Sequence, residues 1–181
     1  IVLHLLILIM IAEVLAFSHM SVLPIFADDI LNVGSGGFGI LSAARAFGSI
    51  LGVLLLAIAG TRMANGKTLF TSIILYSIAL ILFSFSEAFP LSLFILLIVG
   101  IAASIFDALQ QVLLQLNVGD TQRGRAMGIW VLGVGVGPLG HLEVGILAEF
   151  WGATSALLIN GTLLLVFTCF AILSMKTIKQ L

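Results

Sequence analysis

Charge is what this sequence has least of. Seven Lys and Arg and eight Asp and Glu make up 8% of its 181 residues, against 61% hydrophobic ones. A water-soluble globular domain carries about 25% charged and about 45–50% apolar residues, so that class is excluded and a bilayer is the solvent to reason with. A net charge of −1, with the cations scattered along the chain, leaves no basic face for nucleic acid. The one cysteine, Cys169, lies in an apolar run. An internal disulfide and a thiolate metal cluster are therefore both ruled out, and its expected role is packing. A Gly-x-x-x-x-Gly-Lys-Ser/Thr loop is missing, so ATP does not drive this chain by itself; no cofactor and no metal are expected. The first apolar run has neither a basic leader nor a small-residue cleavage site, which argues against a signal peptide. With Ile1 in place of a methionine, the expectation is a chain cut from something longer.

What fills the sequence is long apolar runs. Inside hydrocarbon every backbone N–H and C=O must be paired within the chain, so only helices or a closed barrel can cross. The runs are continuous over about 20 residues, the length of a helix crossing ~30 Å, and do not alternate in ten-residue segments. Six helical spans are expected, at about 2–26, 38–59, 68–85, 91–114, 126–147 and 153–175. The connections are short and leave no room for a soluble domain. Arg62 and Lys67 follow span two, Arg123 and Arg125 follow span four, and Lys176 and Lys179 follow span six. The other three loops carry Asp28, Asp29, Glu87 and Glu149 and no cation. Because Lys and Arg concentrate on the cytoplasmic side, this partition supports six spans with both ends cytoplasmic.

Ionisable groups within the spans are few. Those singled out are Glu13 in span one, Arg45 in span two, Asp107 in span four, and His141 with Glu143 in span five. A charge near the bilayer centre costs at least about 2.5–3.5 kcal/mol on insertion scales, so such groups face a cavity or a partner. Four helices are thus expected to share a polar interior, with spans three and six apolar and peripheral. The uncharged helix is third in each triplet, which points to two inverted three-helix repeats, about 1–87 and 88–181. Each charge also has a plainer reading. Arg45 with Glu13 or Glu143 could be a structural ion pair, and Asp107 could anchor span four near the headgroups. His141 follows Gly133 and Gly137 at helical spacing, on the small-residue face that packs closest to another helix. Glu143, about 200° further round at 3.6 residues per turn, points elsewhere.

Span two repeats Ala44, Gly48 and Gly52, and span five repeats Gly133 and Gly137 before Pro138. Small residues in rows let helices approach closely, and proline frees a carbonyl and bends its helix. Leu23-Pro24-Ile25-Phe26-Ala27, then Gly34-Ser35-Gly36-Gly37-Phe38-Gly39 and Leu41-Ser42-Ala43-Ala44-Arg45, resemble the seventh and eighth helices of enterobactin-exporter-like proteins of the major facilitator superfamily (MFS). Gln110-Gln111-Val112-Leu113-Leu114-Gln115 and Asp120-Thr121-Gln122-Arg123-Gly124-Arg125-Ala126-Met127-Gly128 resemble the end of helix ten and the following cytoplasmic loop. Pro138-Leu139-Gly140, Gly145-Ile146-Leu147-Ala148-Glu149 and Trp151-Gly152 continue the resemblance in order. It implies an all-α integral membrane fold forming helices seven to twelve, the C-terminal half of a twelve-helix protein whose N-terminal half is missing. It further implies that helices seven, eight, ten and eleven line a central cavity. The loop Gly60-Thr61-Arg62-Met63-Ala64-Asn65-Gly66-Lys67 lacks the aspartate of the superfamily's gating motif, so a charge-transfer role there is doubtful. Asp120, Arg123 and Arg125 are candidates for a cytoplasmic gate or headgroup contact, against topology determination alone.

The function these readings point to is secondary active transport across a cell (inner or plasma) membrane, by alternating access and driven by protons. Efflux of a small organic solute, such as a siderophore or drug, comes from the resemblance. Partners are then the bilayer, the missing half, the solute and protons. Glu13, Arg45, Asp107 and Glu143 are the candidate pathway residues, with Gly48, Gly52, Gly133, Gly137, Pro138 and His141 packing the helices. A non-transporting membrane scaffold is the alternative. An intramembrane serine protease is a weaker one, since Ser35 lies in an outer loop and no Gly-x-Ser-Gly element faces a histidine.

Overall fold

The computed structural model describes residues 2–174, and among these it contains helices and no strand. Lys176 and Lys179, the cations expected after the last span, lie outside the described residues. Five segments are long and apolar enough to cross a membrane: Val2–Ile30, Gly34–Arg62, Gly66–Ser84, Phe89–Leu116 and Asp120–Ser174. The first comprises α1 (Val2–Leu15), α2 (His19–Ile25) and a π-helical turn, Phe26–Ile30. Then follow α3 (Gly34–Ala59), α4 (Gly66–Ser84), α5 (Phe89–Leu116), α6 (Arg123–Val134) and α7 (Gly137–Ser174).

Local chemistry sets these boundaries. Asn32 (φ 52°) and Gly34 (φ 62°) turn the chain into α3. Asn65 caps α4 by accepting a hydrogen bond from the Thr68 N–H at 2.9 Å, satisfying one of the four donors a helix start leaves open. Pro90 sits in the first turn of α5, where its missing N–H costs nothing.

The last segment is 55 residues long; as one straight helix it would reach about 80 Å, far more than ~30 Å of hydrocarbon. It is not straight. Gly152 has φ 82° and ψ 157°, which breaks α7 into two arms. Asn160 on the second arm donates to Glu143 on the first at 3.0 Å. Seventeen residues along an unbroken helix would hold them about 25 Å apart, so the chain reverses at Gly152.

That conformation belongs almost only to glycine and costs another residue about 1–3 kcal/mol. A Cβ there meets nothing within 4 Å, so Gly152→Ala isolates the backbone cost. We expect it to destabilise the bundle by about 1–3 kcal/mol in detergent-unfolding titrations. Gly145→Ala, helical and also in open space, is expected to be neutral or slightly stabilising.

In the bundle α5 lies between α3 and α4, and α4 lies between α5 and α7, while α1 packs on α6 and α7 and α2 on α7. Phe26 stacks on Phe83 with ring centroids 4.7 Å apart, joining the π turn to α4. Spans three and six, expected to be purely apolar, are not so. Tyr76 on α4 and Asn160 on the last arm are both buried, at 1% exposure each. Counting only ionisable side chains overlooked them, because a phenol and an amide are polar without carrying charge.

Candidate functional site

The first membrane segment is not continuous. Between α1 and α2 the backbone loosens at Ala16–Ser18, with His19, Met20 and Ser21 bonding back three residues at 3.5, 3.4 and 3.0 Å. An interrupted helix frees carbonyls that hydrocarbon cannot satisfy, so side chains or neighbours must do it. Here they do: His19 Nδ1 lies 2.6 Å from the Ala16 carbonyl and Ser18 Oγ donates to the Leu15 carbonyl at 3.3 Å. The fifth expected span is interrupted too, at Gly135–Val136, between α6 and α7. Pro138 follows the interruption as the second residue of α7.

Around these two breaks the polar side chains gather. Glu13, 7% exposed, projects from α1 and brings Oε2 to 3.8 Å from where a Gly137 Cβ would stand. It lies close enough to Asp107 on α5 for the two carboxylates to interact. Asp107 accepts a hydrogen bond from Gln110 Nε2 at 3.0 Å. Arg45 on α3 is half-buried and lies within electrostatic range of Asp107, His19 and Tyr76, without a salt bridge to Asp107. Tyr76 Oη is 3.3 Å from His19 Nδ1, and the two rings meet edge-on at 5.9 Å. Five helices thus deliver side chains to one interior region. Among the described residues the one salt bridge is Arg123 to Asp120, 3.0 Å at the surface. The structure therefore places Glu13, Arg45, Asp107 and Tyr76 within electrostatic range of one another, without a Glu13–Arg45 or Asp107–Arg45 ion pair.

A second polar group adjoins the first. Asn160 donates to Ser18 Oγ at 3.1 Å and to Glu143 Oε2 at 3.0 Å. His141, on an exposed position, takes part in a hydrogen bond with Ser21 Oγ at 2.8 Å. Gly48 and Gly52 lie against the α5 backbone, at Leu97 and Ile101, whereas Gly133 meets Ile9 and Met10 at ordinary contact distance. Pro138 is exposed. Arg123, the first residue of α6, pairs with Asp120, and the exposed Arg125 lies in the first turn of that helix. The interior residues missed in the sequence are His19, Ser18, Tyr76, Gln110 and Asn160. Each is a polar residue deep inside an apolar run, and that was the available signal. An open cavity of about 410 Å³ lies between α3 and α5 near Gly60, lined by Val53, Leu56, Ala57, Leu109 and Val112 among others. Its walls are almost wholly apolar and offer little to orient a polar solute.

Interrupted helices beside a buried polar region are what membrane transport sites use, because irregular backbone is tolerated where it lines such a region. The sequence comparison agrees. The family model described as Major Facilitator Superfamily matches residues 5–179. This chain belongs to the major facilitator superfamily.

As an MFS chain with several apolar helices it is a multi-pass membrane protein. It is also similar to the staphyloferrin A transporter of Staphylococcus aureus (strain NCTC 8325 / PS 47), with 28% identity over 145 residues. That match covers 80% of this chain and 36% of the relative's length.

Proposed function

We propose that this MFS chain is the transport-site half of a secondary transporter: six spans, counting the two arms joined at Gly152, forming helices seven to twelve of a twelve-helix protein. A separate N-terminal half completes the pathway, the two three-helix groups are inverted repeats, and the C-terminus faces the cytoplasm of a cell or inner membrane. The solute is a small organic molecule of siderophore or drug type, exported in exchange for protons. The similarity to a siderophore transporter supports the solute class.

The observation that carries the reading is the Glu13 carboxylate, 7% exposed inside an apolar bundle, within electrostatic range of Asp107 and without a salt bridge among the described residues. An inert scaffold has no use for an acid placed at such cost. Two neighbouring carboxylates with one arginine beside them can gain or lose a proton as the bundle changes conformation, and the gradient biases the states through that difference.

The experiment uses vesicles holding the full-length protein, staphyloferrin A as the test solute and an imposed pH gradient. Gradient-driven movement is expected in wild type, reduced to the level of empty vesicles in Glu13→Gln and strongly impaired in Arg45→Ala. Movement unchanged in both variants would reduce these residues to packing.

A further inference from the structure

Asn160 is 1% exposed, yet it joins three separate parts of the fold. Its amide nitrogen uses both N–H groups, one toward Ser18 Oγ at 3.1 Å and one toward Glu143 Oε2 at 3.0 Å. Ser18 in turn donates to the Leu15 carbonyl at 3.3 Å. The directions are consistent throughout. The amide donates to the Glu143 carboxylate and to the serine hydroxyl, and the hydroxyl donates in turn to a carbonyl freed by the break between α1 and α2. One atom is left over: Asn160 Oδ1 is buried with no donor among the described residues. A buried acceptor without a donor is uncommon and calls for an explanation.

We propose that Asn160 is a positioning residue for Glu143, holding its carboxylate in the interior and reversing its own amide when Glu143 is protonated. The assignment deepens the transport reading and takes its functional meaning from it. A proton arriving from water on Oε2 converts the carboxylate to an acid, and no other covalent bond changes. The new O–H then faces an N–H, donor against donor. Half a turn of the amide presents Oδ1 to it and moves the two N–H groups to the side that Oδ1 occupies now. The same turn takes the N–H from Ser18, whose hydroxyl becomes free to donate to Oδ1 in place of the Leu15 carbonyl. Protonation at Glu143 thereby changes the hydrogen bonding that holds the helix break. The titratable groups on elements packed against α7 are His4 and Glu13 on α1, His19 on α2, and Lys67 and Tyr76 on α4, with His141, Glu149 and Cys169 on α7 itself. Among the described residues Glu143 has Asn160 as its one side-chain hydrogen-bond partner.

Infrared difference spectra of the full-length protein in lipid vesicles, stepped from neutral to acidic pH, test this without any solute. Wild type is expected to show a protonated carboxyl band that Glu143→Gln removes, and a side-chain amide band changing with it that Asn160→Leu removes. In Asn160→Leu the carboxyl band moves to higher frequency, as for an acid without a hydrogen-bond partner, and Asn160→Gln returns it toward the wild-type position. Should Asn160→Leu fail to insert, Asn160→Ser is read in the same way. A carboxyl band unmoved in the leucine or serine variant, an amide band that ignores the pH step, or no Glu143 band at all overturns the assignment. None of these outcomes touches the Glu13 transport assay, so the two readings fail separately.

Discussion

Gly100→Val is expected to prevent stable assembly of the bundle. The helices α3 and α5 meet backbone to backbone. A Cβ on Gly100 would strike the Arg45 carbonyl oxygen and stand 2.9 Å from the Ser49 nitrogen, and a Cβ on Gly48 would strike the Leu97 carbonyl. Ser49 Oγ donates across the same seam to the Gly100 carbonyl at 3.3 Å. In a membrane, helices associate through such close packing and not through a hydrophobic force between them. Overpacking costs about 1–3 kcal/mol when side chains can shift aside. Here the struck atoms are backbone, so the helices themselves must separate, and we expect about 3 kcal/mol or more. Detergent-unfolding titrations read the loss. Gly39→Ala on α3, which meets nothing within 4 Å, serves as the control and is expected to fold normally. A stable Gly100→Val protein would show that this seam is not close-packed. The seam also bears on function, because Arg45 is the residue whose carbonyl is struck.

His19→Leu is expected to have the next largest effect. His19 is completely buried, and the Ala16 carbonyl 2.6 Å from its Nδ1 can only accept, so Nδ1 carries the proton. Tyr76 Oη lies 3.3 Å from the same nitrogen. Leucine removes the side-chain donor and leaves the Ala16 carbonyl with only the long 3.5 Å bond from the backbone N–H of residue 19, with the phenol losing its neighbour as well. A buried polar group left unsatisfied costs about 1–3 kcal/mol, and a loss in that range is expected here. His19→Asn places an amide N–H near the position of Nδ1 and is expected to recover part of the loss. If leucine and asparagine behaved alike in unfolding titrations, the histidine would be filling space and not holding the break.

Much of the bundle is legible in the amino-acid sequence. The spacing of apolar runs locates the ends of α3, α4 and α5 to within a few residues, because the boundary of a membrane helix is also a boundary in composition. The connection expected near 148–152 coincides with the reversal at Gly152. The Gly48 and Gly52 row marks one side of the α3–α5 seam. Gly100, on the other side, is not marked, since a single glycine in an apolar run carries no periodicity. Glu13, Arg45, Asp107 and Glu143 stand out because ionised groups are rare in such runs. His19, Tyr76 and Asn160 do not, though they supply the hydrogen bonds around the first break.

What the sequence determined by itself is the solvent and the class of fold. The transfer cost of each residue and the need to pair each backbone group accumulate along the chain, so composition and run length are enough to settle them. The tertiary structure alone decided which polar groups meet. Tyr76 meets His19, Asn160 spans Ser18 and Glu143, and Glu13 and Arg45 both come within electrostatic range of Asp107. Such pairings depend on the rotation of each helix about its axis and on where α1 and α6 are interrupted. A few residues of slip in either would exchange the partners without altering the hydropathy of a single span.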